Sequence, residues 1–414
     1  MRSTRRGFAA LRNRNFRLYL LGQTVSQAGT WMQVVGQAWL VLHLTDSGTA
    51  LGVVIALQAL PVLLFAPLGG LVADRVDKRK LLIATQVGAA MPALALWLLT
   101  ASHNVELWMV YVVATALGFV NVFDNPARQA FVLDIVGADD LTSAVSLNNV
   151  NFNAARILGP ALAGITIDTI GIGPCFLFNA LSYGAVVVAL LAMRQSELHP
   201  SVPEARGRHQ LRDGLAYVRR TPELFVPICM MFLVGTLTYE TQVTIPLLAK
   251  HTFHGDAGTF SAMTVAMGIG AVVGGMLIAV HLTATRGNLL RVTAVLGLIT
   301  VLSAAAPTLG SELVVLTVLG ASSVAFLAVA NSTLQLSAPA VMRGRVMSLW
   351  TVAFLGSSLV GAPLVGAVGQ HFDPRLAILV GGVAPLLAAA AAWPALRRLP
   401  GGLHTVPSPH VVVA

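Results

Sequence analysis

Cysteine and charge are what this chain has least of. Cys175 and Cys229 are the only thiols in 414 residues, and both stand in or beside apolar runs. That excludes a disulfide framework and leaves no clustered Cys and His at zinc-binding spacing. Charged residues make up 10% of the chain against 56% hydrophobic, too few to solvate the surface of a soluble protein of this size. Lysine is scarcer still, with 3 of the 26 bases, the other 23 being arginine. No Walker loop is present to cradle ATP phosphates, and no Ser-His-Asp set can be proposed, so neither an ATP-driven pump nor an enzyme is expected from this chain alone. No cofactor or metal is expected.

What the sequence does have is length of apolar run. Mean hydropathy is +0.77, and stretches near 20 residues suffice to cross a hydrocarbon layer of roughly 30 Å. The runs do not alternate with polar residues, which favours helices over a barrel, because in lipid the backbone must satisfy its own hydrogen bonds. Twelve spans are predicted, at about 16–43, 49–73, 79–100, 106–126, 141–167, 172–193, 223–249, 257–281, 288–307, 312–335, 344–371 and 375–396. With the N-terminus inside, 23 of the 26 bases fall in inner segments; Lys250 and Arg375 fall outside and Arg156 lies within a span. An odd helix count or the reverse orientation would scramble that partition. The net charge of +9 is therefore read as a topology determinant facing anionic membrane lipid, not as a nucleic-acid surface. The Arg-rich start runs into a span too long for a signal peptide and without a small-residue cleavage site, so the first helix is expected to be retained.

The longest polar stretch, 194–222, divides the chain near its middle. The predicted organisation is an inner N-terminus (1–15), a six-helix half (16–193), a linker (194–222), a second six-helix half (223–396) and an inner tail (397–414). Within the linker, 210–220 has the pattern of a short amphipathic helix. Shifting the chain by 202 residues matches Ser146, Leu147, Phe152, Gly159 and Gly164 to Ser348, Leu349, Phe354, Gly361 and Gly366. The fifth and eleventh spans thus read as copies, and parallel halves of this kind place a substrate cavity between them near the midplane.

The segment Gly69–Lys80, GGLVADRVDKRK, sets six charges between two apolar runs, the mark of a turn at a membrane surface. Together with Asp124–Val136, DNPARQAFVLDIV, and Asn148–Gly164, NNVNFNAARILGPALAG, it makes the chain resemble the major facilitator superfamily over nearly its whole length. Within it, the chain is similar to the branch of bacterial exporters that includes siderophore and macrolide efflux proteins. The resemblance implies an all-α polytopic fold of two pseudo-symmetric six-helix halves, alternating access and a monomer in the bacterial inner membrane, with both termini cytoplasmic. It also implies that Asp74 latches the halves at the inner side, against the start of the eleventh helix near Arg343–Val346. Small Gly69 and Gly70 suit close helix packing, and Arg75 or Arg79 is expected to pair with Asp124. The alternative is a loop that only sets topology. Asp77 stands where the family usually has glycine, a position that would tolerate a left-handed turn at some cost. The matching place in the second half, Gly274 and Gly275, puts Ala279 where Asp74 stands, so the latch is expected to be one-sided.

Further candidates lie inside the spans. Gly159, Pro160 and Gly164 resemble the glycine-proline signature of antiporters, where a bend and close packing seal against leak; ordinary packing is the alternative. Asn149, Asn153 and Arg156 share one helical face, and a charge near the bilayer centre costs at least roughly 2.5 kcal/mol unless partnered or hydrated. Arg156 is therefore expected to meet an acidic substrate group or a carboxylate, or else a structural partner, while the asparagines suit a cavity or packing equally. Glu240 is the acid deepest within a predicted span, with Thr236 and Thr244 on its face. Such a carboxyl can carry a proton, unless it sits near the outer surface. Ser26, Thr30, Gln33 and Gln37 form a polar stripe on the first span, fit either for an amphipathic substrate or for holding helices together. Met230, Met231, Phe232, Met263 and Met267 offer an adaptable apolar lining, or a core.

These features predict a secondary active transporter that exports an amphipathic small molecule, a drug, siderophore or secondary metabolite, by proton antiport. A lipid or lysophospholipid flippase and an uptake symporter remain as alternatives. The fourth span lacks the mid-membrane arginine of many proton-coupled relatives, which leaves the coupling ion open.

Overall fold

The computed structural model describes residues 8–199, 210–399 and 402–403, with side chains undescribed at 210–214 and 278–281. Arg2, Arg5, Arg6, Arg206 and Arg208, the side chains of Arg212 and Ala279, and the tail beyond residue 403 lie outside the described residues.

Every regular element among the described residues is helical. A 3-10 turn at Ala9–Arg12 leads into α1 (Arg14–Thr45), α2 (Gly48–Arg75), α3 (Lys78–Ala101), α4 (Leu107–Ile170) and α5 (Gly173–Leu191). After the linker come α6 (Gln210–Arg220), α7 (Pro222–Leu237) and α8 (Thr241–Leu247), the last continuing as a π turn over Leu248–Thr252. The rest is α9 (Ala257–His281), α10 (Arg286–Ala305), α11 (Leu309–Ser337), α12 (Ala340–His371) and α13 (Pro374–Arg397). The amphipathic linker helix thus forms over the residues expected of it.

Ten helical stretches among the described residues are long and apolar enough to cross a membrane. The twelve expected spans differ from these in two ways. First, the fourth and fifth spans and the loop foreseen between them form one element, α4, of 64 residues. The connecting residues carry Phe131, Val132, Ile135 and Val136, which are buried together with Phe16, Tyr19 and Leu82. That apolar packing makes helix the better state there. Gly137, at φ 71° and ψ −179°, supplies the one non-helical residue, a conformation that favours glycine. Second, α1 falls below the hydropathy of the others because Gln23, Gln27, Gln33 and Gln37 interrupt it. Its 32 residues still span about 48 Å at 1.5 Å per residue. Counting α1, and α4 as two arms, restores twelve crossings.

The seventh span is also not continuous. Its helix stops at Leu237 and resumes at Thr241. Side chains pin the gap: the Thr238 hydroxyl donates to the Gly381 carbonyl at 2.6 Å and the Tyr239 hydroxyl to the Ser323 carbonyl at 2.7 Å.

The chain folds as two compact units. Unit 1 comprises Met1–Asp46, Leu57–Ala205 and Asp256–Val265; unit 2 comprises Ser47–Ala56, Arg206–Gly255 and Ala266–Ala414. One end of α2 thus belongs to unit 2 and the start of α9 to unit 1. The repeat seen in the sequence recurs as packing. In unit 1 a Cβ on Gly159 would strike Trp31 and Ala28 of α1, and one on Gly164 would strike Ser261 of α9. In unit 2 a Cβ on the matching Gly361 would strike the Thr236 backbone of α7, and one on Gly366 the Gly48 backbone of α2. First and seventh spans, and eighth and second, are each six apart, so both copies use their glycines against equivalent neighbours.

Candidate coupling site and gating residues

The loop that follows α2 is fastened by its own charges. Asp77 sits at φ −59° and ψ 111° and caps α3, its carboxylate accepting from the amides of Arg79 (2.9 Å) and Lys80 (3.2 Å). The expected left-handed turn is therefore absent: aspartate is among the best N-cap residues, and an acid also suits the positive end of the helix dipole. Lys78 pairs with Asp134 at 2.9 Å. Arg79 donates to the carbonyls of Leu190 (2.7 Å) and Leu191 (3.2 Å), where a cation satisfies the open acceptors at the end of α5. Gly69 and Gly70 are buried, and a Cβ on Gly69 would overlap the Val122 backbone. Arg75 is exposed and Asp74 half-buried.

Asp124, which is 1% exposed, does not pair with Arg75 or Arg79. Its Oδ1 accepts from the Thr85 hydroxyl and the Gln86 amide, both at 2.8 Å, and its Oδ2 from Arg128 one turn later. Arg128 also donates to Gln23 at 3.3 Å. A partner four residues along the same helix needs no ordering of a loop, whereas Arg79 is already engaged on α5.

The polar stripe of α1 faces α5. Gln33 is buried and its carbonyl oxygen accepts from Asn179 at 2.6 Å. Thr30 donates to Ser26 O at 2.9 Å. In this structure Gln33 is an interhelical tie. Along α4, Asn149 is exposed, and the half-buried Asn153 donates back to its carbonyl at 2.8 Å. Arg156 lies over the Trp31 ring at 5.7 Å, a cation–π contact. Pro160 is buried beside Gly159. Met230, Met231, Met263 and Met267 are core residues, and Phe232 is exposed.

Glu240 occupies the gap between α7 and α8. It is 2% exposed, Ser358 is its hydrogen-bond partner, and its Oε1 is buried with no partner among the described residues. Its carbonyl accepts from the amides of Val243 and Thr244, which starts α8. Broken helices at membrane depth expose polar backbone where ions and substrates bind in transporters.

Two further buried acids were not singled out from the sequence. Glu223 meets Arg286 at 2.6 Å, with side chains 5% and 4% exposed. Arg286 also donates to the Gly402 carbonyl, and the Gly287 amide to that of Leu403, which fastens this short segment onto the start of α10. Glu312, in the first turn of α11, is fully buried and accepts from the Ser303 hydroxyl at 2.6 Å. Both acids stand at span edges, where acids are ordinary helix starters, so position alone gave no signal. No group of three or more His, Cys, Asp or Glu that could hold a metal occurs among the described residues.

Among the described residues, ten apolar helical stretches of spanning length, with buried acids on broken or close-packed helices, define a polytopic membrane protein. Residues 5–408 match the transmembrane secretion effector family, and the chain belongs to it, within the major facilitator superfamily. It is 26% identical over 250 residues to the staphyloferrin A transporter of Staphylococcus aureus, covering 59% of this chain and 62% of that protein. The chain thus spans less than two thirds of that relative. It is 25% identical over 369 residues to the multidrug efflux pump Tap of Mycolicibacterium fortuitum, covering 86% and 90%. Among solved structures it resembles the nucleoside transporter NupG, with a TM-score of 0.74, 13% identity and 92% and 98% coverage, a likeness of fold. The chain is a multi-pass membrane protein of a family of transporters.

Proposed function

We propose that the chain is a secondary active exporter that moves an amphipathic small molecule outward by alternating access, against inward proton flow. The observation that carries this is Glu240, a buried carboxyl with an unpartnered oxygen at a helix break, in a family whose relatives are named for siderophore transport and drug efflux. Alternating protonation of such a group changes the charge that the surrounding helices must accommodate, which is how a gradient biases one state over another. Arg156 on its aromatic seat, the exposed Asn149 and the half-buried Asn153 are the substrate-side polar groups of this reading. Asp74 and Gly70 are its inner gating residues, while Gly159, Pro160 and Gly164 are its close-packed helix. The inner membrane, with both termini cytoplasmic, follows from the partition of the bases. The protein acts as a monomer.

An efflux screen in a pump-deficient host identifies the substrate. Everted vesicles then test the mechanism: they should accumulate it, an uncoupler should abolish the accumulation, and Glu240→Gln should remove the uncoupler-sensitive part while substrate binding persists. Uncoupler-insensitive accumulation would overturn proton antiport. Export from, rather than into, everted vesicles would reverse the direction.

A further inference from the structure

Unit 2 contains a small cavity that the sequence did not foretell. It measures about 20 Å³, room for a water molecule or two, which is far below the size of a drug or siderophore. Thr238 and Thr241, on either side of the Glu240 break, line it, with Thr244 and, from α10 and α11, Thr300, Ser303 and Glu312. Apolar residues complete the wall, among them Leu316, Leu319 and Ile378. Glu312 is 0% exposed. One of its oxygens is held by Ser303, and the other, Oε2, is buried with no partner among the described residues.

Such a site is built for something small and polar. A charged oxygen sealed without a donor costs several kcal/mol, so the carboxyl is stable there only with a proton or a small polar neighbour. The charged groups on the packed elements narrow the choice. Arg375, at the start of α13, is the one whose charge acts on Glu312, and its guanidinium also donates to the Ala306 carbonyl at 2.8 Å. On α10 the charges are Arg286 and Arg291, in its first two turns, and Glu312 follows its far end. Lys250 and His251 belong to the π turn, and Glu223 and Glu240 to α7 and the gap after it; Arg343, Arg345 and His371 lie on α12. With one cation close enough to act, and no second carboxylate in the lining, the site is suited to a proton and poorly suited to a metal cation, which would need several oxygen anions or carbonyls.

We propose that Glu312 is a second protonation site, which exchanges its proton with water in the hydroxyl-lined cavity beside the helix break. In this step the Glu312 carboxyl gives its Oε2 proton to a water held among the cavity hydroxyls, which leaves as hydronium. Glu312 is left as an anion facing Arg375, and total charge is unchanged. The inference rests on the proton-antiport reading.

Infrared difference spectroscopy of the full-length protein in lipid vesicles, titrated with acid, reads the carbonyl band of protonated carboxyls. Two components are expected. Glu312→Gln should remove one and Glu240→Gln the other, and Ser303→Ala should displace the Glu312 component while the protein stays folded. A spectrum unaltered by both Glu312→Gln and Ser303→Ala overturns the proposal alone if Glu240→Gln still removes a component. If neither carboxyl contributes and transport ignores an uncoupler, the antiport reading falls with it. Displacement of the Glu312 component when choline is replaced by sodium would identify a metal-cation site and overturn protonation. Should Glu312→Gln fail to fold, Ser303→Ala decides by itself: no displacement of the band counts against the proposal.

Discussion

Buried acids fall into two kinds, and of the two units it is unit 2 that holds the half-engaged kind. In unit 1, Asp124 has both oxygens engaged, by Thr85, Gln86 and Arg128. In unit 2, Glu240 and Glu312 each keep one buried oxygen without a partner. A fully engaged carboxylate works as structure, whereas a half-engaged one keeps an acceptor to spare inside the protein. The contrast is one of satisfaction, not of position, because unit 2 also has an engaged acid in Glu223, paired with Arg286.

Substitutions can break this contrast or make it sharper. The largest effect is expected from Glu240→Gln, which should abolish gradient-driven accumulation in everted vesicles while leaving the melting temperature within a degree or two of wild type, about the shift of a surface change. A large loss of stability would erase the distinction between the units. The engaged acids should do the reverse. Glu223→Gln leaves Arg286 buried without its anion and should cost about 3 kcal/mol in equilibrium unfolding from mixed micelles; replacing both partners by apolar residues should recover most of it. Asp124→Asn should cost somewhat less, since Arg128 is half-exposed and keeps Gln23, with accumulation retained in folded protein. Asp77→Ala, which deletes the α3 cap, should cost about 1 kcal/mol. The smallest effect concerns Asp256, exposed in the turn before α9. The Thr259 amide and hydroxyl hold its carboxyl below the ordinary value. A folded-state value below the unfolded one means stabilisation present above about pH 4 and lost as the pH falls through the depressed value. Asp256→Asn should flatten that slope in thermal scans between neutral and acid pH.

Much of the fold could be read directly. Apolar run length pointed to the spans, the amphipathic pattern of 210–220 pointed to a helix there, and the 202-residue shift found glycines that pack alike in both units. Partners were less legible. Hydrophobic length says that a helix exists but not which way its polar face turns, so Gln33 reads equally as a substrate group or a helix tie, and Asn179 supplies a tie. Arg128 and Arg286 were counted only as topology bases, since their anions stand four residues away on one helix and 63 residues away on another. The 127–140 stretch mixes charge with Phe131 and Ile135, and only the surrounding apolar core decides between loop and helix. Asp77 was an anomaly by family pattern and is ordinary by capping chemistry.

One of the close helix approaches in unit 2 has a use of its own. Gly52 of α2 lies so close to Ala362 and Pro363 of α12 that a Cβ would overlap their backbone, and backbone cannot swing aside as a side chain does. Any larger residue at Gly52 would work as a wedge, penalising every conformation in which these helices touch and sparing those in which they part. Because an equilibrium moves only by a ligand's or a mutation's difference in energy between states, Gly52→Trp should, on the alternating-access reading proposed above, act as a conformational lock that favours the state in which these helices part.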